Sequence, residues 1–323
     1  MAAKTTIPKK HHYVPQFLLK GFHAEKKHRI HVFDKHNGKS FPSAIDSAAA
    51  ESGFYNFKQL DGTPATAEMG LSHLEDDVAV VINQIRKSES LIGLSSKDHA
   101  RLSIFAAIQI LRVPAMRAAT KQVTERFQQR FADGTPVQFT DTASLEESAR
   151  RESVEMLGIA VTISEPIAQK QMVLLRTKKS SPMIIGDNPV VCSNVFHNSS
   201  ITGFGLATDG TEVYLPISQH LTIFFMCPKM AAASTNAARN ALTMKWRMGS
   251  PIGLVDDEFL AVVTAMESGT PMDISGERVR GLNSLQIACS HRFVYSSRDD
   301  FSLVRKMISD TPEFKTYQTM RML

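Results

Sequence analysis

Cysteine is scarce: the chain holds only Cys192, Cys227 and Cys289. They are odd in number, far apart and set in apolar surroundings, and no two have zinc-finger or redox spacing. That excludes a disulfide framework and reads as buried free thiols in a reducing compartment. Long apolar runs are also missing. The longest, such as residues 221–227, are strand-sized, whereas a membrane-spanning helix needs about 18 residues. Residues 1–10 carry lysines but no apolar stretch of the kind a secretory signal has. The expectation is a cytoplasmic protein with no membrane segment.

Charge of either sign is in small excess, with 37 basic and 32 acidic residues and a net charge of +5. Such a balance does not by itself mark a nucleic-acid binder. Its distribution is uneven. Residues 1–40 hold nine Lys/Arg against two acidic residues, and six of the eleven histidines. A basic face attracts phosphate, so nucleic acid or a phosphorylated ligand is one expected partner. The plainer reading is a solvated surface with a flexible basic tail over residues 1–10. At 43% hydrophobic and 21% charged, the composition is that of a folded chain with ample core.

The standard motifs of nucleotide and hydrolase chemistry are absent too. There is no Walker A loop, G-x-S-x-G or H-E-x-x-H, and Gly203-Phe204-Gly205 lacks the third glycine of a dinucleotide loop. Asp310, Glu313 and Lys315 match a nuclease-like acidic pattern only weakly, because the Asp–Glu spacing is too short for two strands.

What is present is a change of period along the chain. Residues 29–34 alternate as a strand and run into Asn37-Gly38, a hairpin signal. From 68 to 165 apolar residues recur at three or four, as in Leu71, Leu74, Val78, Val81 and Ile85, which predicts a helical block. Ser96 is the expected N-cap of its second helix, Pro114 should interrupt that helix, and Ser144 opens a capping box. Beyond 170 short β-rich runs take over. Met172–Arg176 and Met183–Ile185 are expected as one hairpin, and Glu212–Leu215 with Leu221–Phe225 as another. Residues 277–289 read as helix and 292–296 as a last strand. The fold class expected is α+β: a mixed, mainly antiparallel sheet with an inserted helical block, all in one domain over residues 11–323.

Three polar clusters can carry chemistry. His11-His12-Tyr13-Val14-Pro15-Gln16 is extended up to Pro15, so the two histidines point to opposite sides. A neutral imidazole can ligate a metal or move a proton near pH 7; equally, it can simply bond backbone. Gly186-Asp187-Asn188-Pro189 follows an apolar strand and holds a carboxylate where it can be rigid, although Asp-Asn-Pro is also good turn chemistry. Glu51 and Glu75 can pair with Arg112 and Arg117 on the following helix.

These pieces, with Phe22, Phe54-Tyr55-Asn56, Leu215-Pro216-Ile217-Ser218 and Asn283, resemble in order the bacterial family catalogued as domain of unknown function 4238. The likeness runs from His11 to about Ser296, and its specific parts are the opening hexapeptide and Asp-Asn-Pro. Gly186 stands where the family often has serine. The resemblance implies one integral domain with a shared polar constellation, and no reaction.

Two functional readings stay open. In the first the chain is a metal-dependent hydrolase, a nuclease or phosphoesterase, serving stress or phage defence. His12, Asp187, Glu75 and Glu51 are then catalytic, with His12 and Asp187 holding a divalent Mg, Mn or Zn ion. Gln16, Asn188, Arg112 and His11 orient the anionic substrate. In the second the chain is a non-catalytic nucleic-acid or protein-binding module, and the motif residues are structural.

Overall fold

The computed structural model describes residues 10–24, 29–132, 145–196, 205–248 and 257–315. The chain enters as a short strand, β1 (Lys10–His12), and turns at Pro15 into α1 (Gln16–Leu19), where buried Leu18 and Leu19 anchor the turn. A hairpin follows, β2 (Arg29–Asp34) and β3 (Lys39–Ala44), in register Asp34↔Lys39. Gly38 in its turn has φ 71°, a left-handed value that glycine adopts without strain. Next come β4 (Ala50–Ser52), which pairs back onto β1, and the small ladder β5 (Asn56–Lys58) with β6 (Pro64–Thr66).

The helical block is present as expected: α2 (Glu68–Ser88), α3 (Ser96–Leu111), α4 (Pro114–Ala132), α5 (Leu145–Glu155) and α6 (Ala160–Ala168). The stripe Leu71, Val78, Val81, Ile82, Ile85 is the buried face of α2. The N-cap of α3 is Ser95, not Ser96. Its hydroxyl accepts the Asp98 N–H and the Asp98 carboxylate accepts the Ser95 N–H, a full capping box. Pro114 interrupts the helix, and the axis turns by 51° between α3 and α4. Ser144 lies outside the described residues.

The β-rich part comprises β7 (Gln171–Arg176), β8 (Ile185–Gly186), β9 (Val191–Asn194), β10 (Thr211–Pro216) and β11 (Leu221–Met226). After them come α7 (Pro228–Met248), α8 (Asp257–Ser268), β12 (Met272–Asp273), α9 (Gly276–Cys289), β13 (Phe293–Ser296) and α10 (Ser302–Asp310). Two larger sheets result. One has the order β12-β7-β11-β10-β9 and is antiparallel except for β12 with β7; the other, β3-β2-β13-β8, is antiparallel and joins the two ends of the chain. The fold is α+β.

The β10–β11 hairpin forms as expected. The hairpin expected between residues 172–176 and 183–185 does not: β7 lies in the five-stranded sheet and β8 in the four-stranded one. The N–H groups of Thr177 and Met183 are taken by the carbonyls of His220 and Gln219, so the intervening turn carries the chain from one sheet to the other. The five-stranded sheet has helices on both faces. His99 of α3 stacks on Phe225 at 6.2 Å, while α7 and α8 lie over the side bearing Phe224 and Met226. Among the described residues no single helix is long and apolar enough to cross a membrane.

One side chain ties three regions together. Arg86, on α2, donates to the carbonyls of Phe17 at 2.8 Å, Leu18 at 3.0 Å and Ile217 at 2.7 Å. It thereby joins α1, the helical block and the β10–β11 turn. Burial pulls its guanidinium down to about 10. A Cβ on Gly21 would come within 2.2 Å of the Ile217 oxygen, so only glycine allows this approach. Replacing Arg86 with Met removes this donor from all three, and leaves the Leu18 carbonyl with only the Lys20 N–H. The expected loss is about 3 kcal/mol or more, read as a fall in urea midpoint at constant slope; an unchanged midpoint would mean the carbonyls find other donors.

Candidate functional site

The β1 strand separates its two histidines. His11 is fully buried; its Nδ1 accepts the Tyr55 N–H at 2.9 Å and its ring stacks on Tyr55 at 5.5 Å. With Nδ1 accepting, His11 is a structural partner of the Phe54-Tyr55 turn. His12 points the other way and is half-buried. Its Nε2 lies 3.1 Å from the Asp46 carbonyl. A carbonyl only accepts, so Nε2 carries the proton and Nδ1 carries the lone pair. Burial lowers the His12 pKa below its usual value, while the Asp46 carbonyl and the Glu75 and Asp46 carboxylates work in the opposite direction. Lys10, two residues before His12, projects from the same face of the strand.

Behind this strand runs a layer of charge. Arg112, with a side chain wholly out of solvent, donates to Glu75 Oε1 at 2.5 Å and to Gln109 Oε1 at 2.8 Å. Gln109 in turn donates to the Tyr13 carbonyl at 2.7 Å. A line of hydrogen bonds therefore joins the backbone just after His12 to the carboxylate of Glu75. Arg117 pairs with Glu51 at 3.2 Å, lies 3.6 Å over the Phe54 ring and donates to the Phe54 carbonyl. Glu68, two turns before Glu75 on the same face of α2, has its carboxyl pushed up by burial and further by Glu75, against His11 and Arg112. Glu75 thus acts on both His12 and Glu68. Gln16 opens α1 half-buried.

Asp187 is held at the turn between α9 and β13, and its charge, after burial, raises the hydroxyl of Tyr13, the neighbour of His12. Its carboxylate is buried and accepts three backbone N–H groups, from His291 at 2.6 Å, Arg292 at 2.7 Å and Phe293 at 2.8 Å. Burial pushes its pKa up, and these donors oppose that. Asn188 donates to the Cys289 carbonyl at 3.5 Å. Lys35, also buried, donates to the carbonyls of Ile287 at 2.9 Å and Ser290 at 2.5 Å, at the end of α9. The GDNP segment and Lys35 therefore hold the α9–β13 turn, which is the turn-chemistry reading of Asp-Asn-Pro. Three of the acceptor positions of the carboxylate are filled by amides of that turn. Among the described residues, no three His, Cys, Asp or Glu side chains are grouped to hold a metal ion.

The pattern that defines the family described as protein of unknown function (DUF4238) matches residues 10–300. The chain belongs to this family. No match is found among curated proteins or among solved structures.

In this DUF4238 chain the sequence candidates thus divide. His12, Glu75, Arg112 and His11 come together around β1 with Glu51 at the edge; Asp187 and Asn188 stay with α9. The basic N-terminal region also divides. Lys35 is 1% exposed and so is no part of a phosphate-attracting surface, whereas Lys10, Lys20, Arg29 and Lys39 are exposed. Lys4, Lys9, Lys26 and Lys27 lie outside the described residues. Three residues of the cluster were not among the sequence candidates: Gln109, Glu68 and Asp46. Gln109 had a signal, being a polar residue on the apolar stripe Leu102–Phe105–Ala106 of α3. Glu68 had one too, lying seven residues before Glu75 on one helical face. Asp46 takes part through its carbonyl, which no side-chain pattern reveals.

Two outcomes follow for the DUF4238 chain. Asp187→Ala leaves buried amides without an acceptor and should cost about 3 kcal/mol or more, seen as a lower urea midpoint, while His12→Ala should change stability by less than about 1 kcal/mol. Equal losses would contradict this division. Burial pulls the Lys35 pKa from 10.5 to about 8. Between those values the unfolded chain holds a proton that the folded chain has released, so stability rises with pH. Relative to Lys35→Met, the native chain should gain about 3 kcal/mol from pH 8 to 10.5 in denaturation at stepped pH. A flat difference would place the lysine in a wetter site.

Proposed function

We propose that the chain is a hydrolase acting on a phosphate ester, a nuclease or phosphoesterase, with His12 as its general base. The observation that carries this reading is the state of His12. Its Nε2–H is fixed on the Asp46 carbonyl, burial favours its neutral form, and Nδ1 is the basic atom. A base unprotonated at pH 7 with a fixed tautomer is what proton abstraction from water or a hydroxyl requires. As the attacking oxygen bonds to phosphorus, its proton passes to Nδ1. Glu75, held by Arg112, stabilises the imidazolium that forms. As the bond from phosphorus to the leaving oxygen breaks, that oxygen takes its proton from water. Lys10, exposed on the same face of β1 as His12, supplies positive charge for the phosphate, with nucleic acid as the substrate class that best suits it. Stress or phage defence is a setting such an activity would serve. No step here uses a metal ion.

The experiment is turnover of bis-p-nitrophenyl phosphate, single-stranded DNA and RNA, each with EDTA and with added Mn²⁺. Activity should persist in EDTA and fall at least about 100-fold in His12→Ala. It should also be lost as pH drops below the ordinary histidine value, where Nδ1 is protonated. Full activity in His12→Ala, or none on any substrate, would defeat the proposal. Salt-sensitive DNA or RNA binding without turnover would favour the binding-module reading.

A further inference from the structure

A separate feature lies on the far side of the five-stranded sheet from α3. Strand alternation sends Phe225 toward α3 and turns Phe224 and Met226 under α7 and α8. Between that face and the two helices is a cavity of about 230 Å³. Phe224, Met226, Met230 and Val262 give it apolar walls, and Glu212 and Ser234 set two polar groups into it. An engineered apolar cavity of about 150 Å³ holds benzene. This one therefore has room for a one- or two-ring skeleton.

The polar groups say more about the occupant than the walls do. Ser234 is 1% exposed and its hydroxyl has no hydrogen-bond partner. The next residue, Thr235, returns its hydroxyl to the Ala231 carbonyl at 2.9 Å, the usual resolution for a helical hydroxyl. Ser234 does not do so, although leaving a buried hydroxyl unmade is costly. Glu212, 5% exposed and second in β10, receives the Tyr214 hydroxyl on Oε2 at 2.6 Å, which leaves Oε1 for a ligand. Arg278, the cation that also lines the cavity, is paired with Glu258. An unmet hydroxyl and a carboxyl facing apolar walls call for an apolar molecule with hydrogen-bond donors.

We propose that this cavity binds a small aromatic amine, its ring among Phe224, Met226, Met230 and Val262 and its N–H groups on Glu212 and Ser234. The site is distinct from the His12 cluster and does not depend on the reading given to it.

The test uses the full chain and 1-naphthylamine, a two-ring probe whose emission shifts to the blue in apolar surroundings. One saturable site per chain is expected. 2-Phenylethylamine should displace the probe at concentrations at least tenfold below ethylbenzene, and Glu212→Gln should abolish that preference while the probe still binds. Val262→Phe, which fills the cavity, should remove probe binding, with Met230→Trp as the second filling variant if the first does not fold. Fluorescence that never saturates, probe binding that survives a folded filling variant, or equal displacement by amine and hydrocarbon overturns the proposal.

Discussion

Carbonyl groups that the helices and sheets leave unpaired are met in this protein by cations, several of them buried, and the layout of the chain depends on that exchange. Lys35 serves the end of α9, Arg86 serves α1 and the β10–β11 turn, Lys170 serves Thr211 at 2.7 Å, and Arg117 serves Phe54. A buried carbonyl without a donor is costly, and a buried cation without an acceptor is costlier. Brought together, each removes the other's penalty. The distortion left behind is visible in the lysines, both pulled down by burial. Part of the basic excess in the sequence is therefore interior structure, not a surface for phosphate.

Asp187 is the acidic counterpart of these cations. Lys35 takes carbonyls at the end of α9, and Asp187 takes the amides that follow, so opposite charges grip opposite sides of one turn. That turn delivers β13 into its place between β2 and β8, where the N- and C-terminal parts of the chain meet. Gln286 adds to it by accepting the Gly186 N–H and donating to the Pro189 carbonyl. Gly186 has to be small there: a Cβ would lie 2.9 Å from the Ser290 Cβ and 3.0 Å from the Gln286 oxygen. Serine in this position, as in the pattern the sequence resembles, would need α9 to stand further off. The Gly-Asp-Asn-Pro segment is explained by the join it makes, without any call on chemistry.

The parts legible in the sequence are those set by local physics. The periodicity of α2, the break at Pro114 and the turn at Asn37-Gly38 depend on neighbours three or four residues away, and all three are found where the pattern puts them. The partners of β7 and β8 were not legible. Both are short apolar runs around a good turn, and what separates them is the competition of His220 and Gln219 for their amides, some forty residues on. The role of Asp187 was hidden for a related reason: a carboxylate at a strand end looks the same whether it awaits a ligand or grips the amides of residues 291–293, a hundred positions away. His11 and His12 were separable in principle, since strand alternation sends them to opposite faces. Which face would be the interior depended on where Tyr55 lands.

That alternation also sets what the β1 cluster can do. One histidine is consumed in holding the Phe54-Tyr55 turn, and this is what fixes the strand from which the other projects. The Tyr55 hydroxyl donates to the His12 carbonyl at 3.1 Å, and Gln109 donates to the Tyr13 carbonyl at 2.7 Å, so the two successive peptide groups that follow His12 are pinned by side-chain donors. Gln109 also accepts from Arg112, which holds Glu75. The half-buried imidazole and the carboxylate that acts on it are therefore referred to Gln109 of α3 and to Arg112 at its C-terminal cap, and their relative position is a property of the core and not of a loop. Polar groups placed that way keep their geometry without a ligand to organise them. The same bridge from Tyr13 through Gln109 and Arg112 to Glu75 supplies the acceptors that the buried Arg112 guanidinium needs, so the core holds the cluster in place for its own reasons.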